Sequence, residues 1–296
     1  MEKMNLSNLN ITIIGLGLIG GSIAKSIRKN MDIKNLWAVD INENILIKSK
    51  SEGIIDHGFT NAKFPLQNSD LVIICTYFNE AIKFIKENMV YFKENSIITD
   101  VSGLKSKLVH EINLNLKENI EFISGHPMAG KENMGYDYSD DKIFIGANYI
   151  LTPSINTSER SLKLLKEIIK NMGVKNITVT SPKEHDEIIA FTSQLPHIIA
   201  CSLMNSKNID KKSLKCTGGA FKDMTRIAEN NADMWCEVIY ENKENIISEL
   251  DNFISDLNNM KKLIENNNTE NLKLEFIKSK ERKKSWNNEI SAKENI

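Results

Sequence analysis

Gly15-Leu16-Gly17-Leu18-Ile19-Gly20 has the GxGxxG spacing of a phosphate-binding loop. Short glycine loops match this pattern by chance, so context matters. Here the loop follows an apolar run, Asn10–Ile14, and opens a helical stretch from Ile19, as a dinucleotide site requires. Gly15 permits the tight turn, Gly17 lets the backbone approach a pyrophosphate, and Gly20 lets the helix pack close to the sheet. The helix N-terminus then offers unpaired N–H groups to phosphate. Asp40 stands 20 residues past Gly20. A carboxylate there accepts from a ribose 2′-OH and repels a 2′-phosphate, which favours NAD over NADP.

Three other groups could do chemistry. His126 lies in Ser124-Gly125-His126-Pro127, just past a strand, which puts it on a loop at the carboxyl edge of the sheet where open α/β sheets bind ligands. A neutral imidazole there takes a proton from a substrate hydroxyl as hydride leaves the same carbon. The local pattern fits a loop-stabilising histidine equally well. Asp186, Ser193 and His197 share one stripe of a helix. They are no hydrolase triad, because Asp186 and His197 would lie ~16 Å apart along its axis. A polar cleft lining or a solvated face remains. Gly218-Gly219 precedes Asp223 and Arg226, three residues apart. That spacing presents either a carboxylate-held guanidinium suited to a substrate carboxylate or a surface ion pair.

These residues need strands and helices to hold them. Apolar runs at Asn10–Ile14, Leu36–Asp40, Leu71–Thr76, Ser96–Asp100, Glu121–Ser124, Asn148–Thr152 and Lys175–Thr180 read as strands. Most alternate with helical stretches, which indicates parallel βαβ units. Twelve of the 14 glycines lie at or before Gly173, and no proline follows Pro196. Turns therefore concentrate early and long helices late: Lys183–Asn205, Phe221–Asn230 and Asp233–Glu265. Long striped helices without sheet partners need each other or a second subunit, so a homodimer is expected.

Five motifs, in this order, resemble the prephenate dehydrogenase family: GLGLIGGS at Gly15–Ser22, DVSGLK at Asp100–Lys105, GHPMAG at Gly125–Gly130, HDEIIAFTSQLPH at His185–His197 and GGAFKDMTRIA at Gly218–Ala228. The resemblance runs from Ile11 to Trp235. It implies an α/β fold, a Rossmann-like doubly wound and mostly parallel sheet followed by an all-helical dimerisation domain. The expected division is 1–153 for NAD, 154–281 for substrate and dimerisation, and 282–296 as a polar tail. The implied reaction is oxidative decarboxylation of prephenate to 4-hydroxyphenylpyruvate with hydride transfer to NAD, in tyrosine biosynthesis.

On this resemblance His126 is the catalytic base and Ser102 a second catalytic candidate. Ser193, Gln194, His197, Gly219, Arg226 and Trp235 form the substrate pocket, with Arg226 docking a carboxylate and Asp223 supporting it. Gly15, Leu16, Gly17, Leu18, Ile19, Gly20, Asp40 and Thr76 hold NAD. Two positions depart from some members: Gln194 replaces a histidine and cannot carry charge, and Ser102-Gly103 reverses a Gly-Ser order. Arogenate dehydrogenase is the alternative reading. A non-catalytic NAD-binding regulator, which need keep neither His126 nor Arg226, is the rival of another class.

A formal net charge of -1 gives no global field for nucleic acid or an anionic membrane. The start, MEKMNLSNLN, has no apolar core of a secretory signal, and the apolar runs fall short of the ~20 residues of a membrane helix. A cytoplasmic enzyme is expected. Cys75, Cys201, Cys216 and Cys236 form no CxxC pair and have no histidine at metal-ligand spacing, so they read as free, mostly core thiols with no metal and no disulfide. The residues after Glu265 are mostly polar and form at most one helix and a tail, so no ACT domain is expected.

Overall fold

Successive strand residues face opposite sides of a sheet, and β1 (Asn10–Ile14) is apolar on both: Ile11 and Ile13 enter one buried cluster, Ile14 the other. β2 (Asn35–Val39), β4 (Leu71–Ile74) and β5 (Ile97–Asp100) are likewise buried on both faces, as parallel strands covered by helices on each side demand. The remaining strands are β3 (His57–Phe59), β6 (Glu121–Met128), β7 (Asn148–Pro153) and β8 (Asn176–Val179). The computed structural model describes residues 5–131, 133–207, 209–210, 212 and 215–294. It places the strands in one sheet of order β3-β2-β1-β4-β5-β6-β7-β8. Strands β1 to β6 pair in parallel, β7 runs antiparallel to β6, and β8 is parallel to β7.

Six helices accompany the sheet: α1 (Leu18–Asn30), α2 (Glu43–Ser51), α3 (Lys63–Asn68), α4 (Phe78–Asn88), α5 (Ser106–Asn113) and α6 (Glu159–Asn171). Ile23 and Ile27 of α1 share one cluster with Leu165, Ile168 and Ile169 of α6. Ile82 and Ile85 of α4 share the other with Leu108 and Ile112 of α5. This is the doubly wound sheet that the strand–helix alternation implied. It does not stop at Pro153. β8 adds a further strand, so the sheet extends past the expected boundary at 153. β3 and α3 were not anticipated, because three and six residues carry too little periodicity.

Beyond the sheet the chain is helical. The expected helix Lys183–Asn205 is three pieces: α7 (Pro182–Ile189), a π-helical turn (Ala190–Gln194) and α8 (Leu195–Met204). Pro196 has no N–H to give the preceding turn, and a widened turn relieves that mismatch. α9 (Gly219–Thr225) ends in a 3-10 turn at Arg226–Ala228, short of the expected Asn230. The expected single helix from Asp233 breaks at Asn242 into α10 (Ala232–Glu241) and α11 (Lys243–Glu265). α12 (Thr269–Glu294) is helical where a tail was expected from 282. The chain falls into two compact units, residues 1–243 and 244–296. In the second, α11 and α12 leave Ile254, Leu257, Leu274 and Phe276 exposed.

Pro182–Met204 is long and apolar enough to cross a membrane, contrary to the reading of the apolar runs. It is nevertheless part of the first compact unit. The π turn interrupts it, and its buried His185, Asp186 and Gln194 are hydrogen-bonded to neighbouring elements. All four cysteines are free. They are not all core thiols: Cys75 and Cys201 are half-buried, and Cys216 and Cys236 are exposed.

Candidate active site

The chain's direction of winding reverses between β1 and β4, which pair side by side. Such a switch point opens a crevice beyond the carboxyl ends of the strands. Gly15 leaves β1 there with φ +89, a left-handed conformation that favours glycine. A Cβ on Gly20 would sit 1.9 Å from the Gly15 carbonyl oxygen, so loop and helix can meet only through glycine. A Cβ on Gly17 would meet nothing within 4 Å. Gly17 therefore answers to no protein neighbour, and the space beside it fits a ligand. It also caps α1 without a side-chain acceptor, which leaves the first N–H groups of the helix for an anion.

Asp40 follows β2 and does more than expected. Its Oδ2 accepts the Leu16 N–H at 2.7 Å and its Oδ1 accepts the Asn42 N–H at 2.8 Å. It thus fastens the glycine loop, and each oxygen keeps a lone pair for a ribose hydroxyl. The Leu16 side chain is fully buried in the core, so only its backbone faces the loop. Leu18 and Ile19 are half-buried at the start of α1. Thr76, just past β4, packs its methyl against Gly15 and has a buried hydroxyl with no protein partner.

His126 is not on a loop. It lies inside β6, beyond Phe122, where pairing with β5 ends and only β7 continues alongside. Parting strands leave polar groups that need partners, and one buried ion pair supplies them. Asp100 Oδ1 accepts from Ser124 Oγ at 2.5 Å and Gly125 N at 3.3 Å, while Oδ2 accepts from Ser102 N and from Lys105 Nζ, both at 2.7 Å. Lys105 Nζ also donates to the Gly125 carbonyl at 2.6 Å. The strand segment carrying His126 is therefore fastened from below.

His126 Nδ1 lies 2.9 Å from His185 Nε2, and His185 Nδ1 lies 2.8 Å from Asp186 Oδ1. Asp186 in turn accepts the Lys105 and Ser106 N–H groups at the start of α5. It is a cap for α5 rather than a cleft-lining stripe residue. Part of the His126 surface is open, yet protein packs densely around the ring. Burial, then the neighbouring His185 and Lys105, push its pKa well below 6.5, so the imidazole is neutral and able to accept a proton. Gly103 is the loop residue beside its Nε2; a Cβ there would lie 3.9 Å away. Ser102 is buried, and its hydroxyl has no protein partner.

The pocket residues divide. His197 stacks on Trp235 with ring centroids 3.7 Å apart, and its Nδ1–H donates to the Ser193 carbonyl at 2.8 Å. Burial lowers its pKa; the Ser193 bond opposes this and the nearby Arg226 charge adds to it. So Ser193, His197, Arg226 and Trp235 come together. Gly219, at the first turn of α9, is exposed. Gln194 does not belong with them. It is 1% exposed, donates to the Val238 carbonyl and accepts from Asn242 Nδ2 at 2.7 Å. Its amide ties the π turn to α10 and to Asn242 just beyond it. Sequence reading passed over Lys105, His185 and Asn242 as site-building residues. His185 and Lys105 sat inside the quoted motifs, but no local signal marked Asn242.

Residues 23–178 match the family model described as prephenate dehydrogenase, nucleotide-binding domain, and residues 181–278 the one described as prephenate dehydrogenase, dimerization domain. The chain belongs to the prephenate dehydrogenase family. The first match begins past the glycine loop, whose assignment rests on its own geometry. The family's relatives include prephenate dehydrogenase of Bacillus subtilis (strain 168), 32% identical over 91% of this chain and 74% of that one. Cyclohexadienyl dehydrogenase of Zymomonas mobilis subsp. mobilis is 29% identical over 86% of this chain and 88% of that one. Among solved structures, prephenate dehydrogenase from A. aeolicus, in complex with hydroxyphenyl propionate and NAD+, superposes with a TM-score of 0.84 at 33% identity. The superposition covers 95% of this chain and 99% of that one.

Proposed function

We propose that this chain is an NAD-dependent prephenate dehydrogenase of tyrosine biosynthesis, acting in the cytoplasm as a homodimer through its helical region. The observation that carries the reaction is His126: a neutral imidazole on a fastened strand, with glycine beside its free edge. The open space at Gly17, the uncapped start of α1 and the carboxylate of Asp40 fit NAD, as in the relative crystallised with it. Held by the Gly17 backbone, the start of α1 and Asp40, NAD would supply the hydride acceptor for the ring carbon that bears the hydroxyl.

The protein's own part is positioning and proton transfer. Arg226 docks a substrate carboxylate by paired hydrogen bonds, and the His197–Trp235 stack walls the same pocket. His126 Nε2 takes the hydroxyl proton as the C–H bond breaks, so a carbonyl forms. The ring carboxylate then leaves as carbon dioxide, and its bonding electrons complete the aromatic ring. Ser102, with a buried unpaired hydroxyl, is assigned a supporting contact to the substrate. The exposed apolar side chains of α11 and α12 are the surface expected to meet a second copy.

Purified protein with NAD should form NADH when given prephenate. Activity with arogenate alone would keep the mechanism and change the substrate. No NADH from either, in folded protein that binds NAD, would overturn the reading and restore the regulator.

A further inference from the structure

His185 and Asp186 settle which nitrogen of His126 is free. Asp186 is an acceptor on both oxygens, Oδ1 taking the Lys105 N–H at 2.9 Å and Oδ2 the Ser106 N–H at 2.8 Å. Although burial raises its pKa, the hydrogen bonds it receives hold the carboxyl below the usual range. His185 Nδ1, 2.8 Å from Oδ1, must therefore carry the proton in the bond between them. A neutral imidazole protonated at Nδ1 is unprotonated at Nε2, so His185 Nε2 can only accept. Its partner across 2.9 Å is His126 Nδ1, which must then be the donor. That leaves His126 Nε2, the nitrogen beside Gly103, without a proton and able to accept one.

We infer that His185 and Asp186 are positioning residues that lock His126 in the Nδ1–H tautomer, so that Nε2 is always the proton acceptor. The inference rests on the proposed role of His126 and deepens it. The chain of bonds is anchored at both ends by buried backbone. Asp186 takes the Lys105 and Ser106 N–H groups of α5, and Lys105 Nζ holds the Gly125 carbonyl next to His126. The other charged groups facing the two rings are Lys105 and Asp100, themselves paired. Both histidines are neutral for the same leading reason, burial, opposed at His185 by Asp186. After His126 takes a proton at Nε2, both of its nitrogens carry hydrogen. His185 then accepts from a cation, and the Asp186 charge stabilises it through the intervening ring.

The chain has only five histidines, so ¹⁵N NMR of histidine-labelled protein without substrate can resolve each ring, with assignment by His126→Asn and His185→Gln. Both His126 and His185 should show a protonated Nδ1 and an unprotonated Nε2. An Nε2–H on either ring overturns the inference. This test needs no turnover, so it stands apart from the identity of the substrate. In kinetics, His185→Leu should lower kcat about tenfold or more with KM nearly unchanged. His185→Gln, which keeps an acceptor for His126 and a donor for Asp186, should recover most of that loss. Unchanged kcat in folded His185→Leu, or no recovery in His185→Gln, rejects the positioning role. If His185→Leu does not fold, the spectrum of the native protein decides.

Discussion

Lys105 Nζ lies 2.7 Å from Asp100 Oδ2, and neither side chain has exposed surface. Removing one member of a buried pair strands the other charge and costs about 3–5 kcal/mol. Lys105→Met should therefore lower unfolding stability by that order in urea titration. It should also slow turnover, since the Gly125 carbonyl beside His126 loses its donor. A stability within about 0.5 kcal/mol of the parent would show that the pair contributes little.

The pH profile has a defined sign. His126 is held well below 6.5 by burial and by the His185 and Lys105 that face it. Protonation removes the base, so kcat/KM should fall only on the acid side, with its half-point below pH 6.5. Stability follows the same direction. The folded state binds this proton more weakly than the unfolded chain, so stability is lost as pH falls from 6.5 toward the folded value. His185 and His197 are shifted downward too and add to the loss. His126→Asn should lose most turnover and keep NAD affinity. An acid limb centred above 6.5 would contradict the assignment.

Gly17 and Gly20 should respond differently to alanine. At Gly20 the new Cβ meets the Gly15 carbonyl at 1.9 Å, so Gly20→Ala should destabilise the whole unit. At Gly17 it meets nothing within 4 Å. Gly17→Ala should melt like the parent yet bind NAD more weakly, because the methyl takes space the pyrophosphate needs. Calorimetric melting and NAD titration separate the two. Full NAD affinity in Gly17→Ala would move the phosphates elsewhere.

Gln194 and Arg226 make a second contrast. Gln194→Leu removes the donor to the Val238 carbonyl and an acceptor of the Asn242 amide, whose Nδ2 keeps its bond to the Asp186 carbonyl, at about 1–3 kcal/mol for a buried group that loses its partner. Its effect should be on stability. Arg226→Ala should raise KM for the substrate with a smaller change in kcat. A large KM effect from Gln194→Leu at full stability would return that amide to the pocket.

Much of this protein could be read without coordinates. The GxGxxG loop with Asp40, the strand–helix alternation and five ordered motifs suffice for the doubly wound sheet and the family. These signals are local: periodicity and glycine spacing act over a few residues, so they survive in one dimension. The rest depends on contacts between distant segments. His126 meets His185 across 59 positions and Gln194 meets Asn242 across 48. No periodicity could rank Lys105 as the residue beneath the strand that carries His126. The resemblance set Gln194 among the pocket residues, but in the fold its amide is taken up by Val238 and Asn242. Where β5 and β6 part, the sheet needs a buried charge pair to satisfy its polar groups, and that need exists only once the strands are placed.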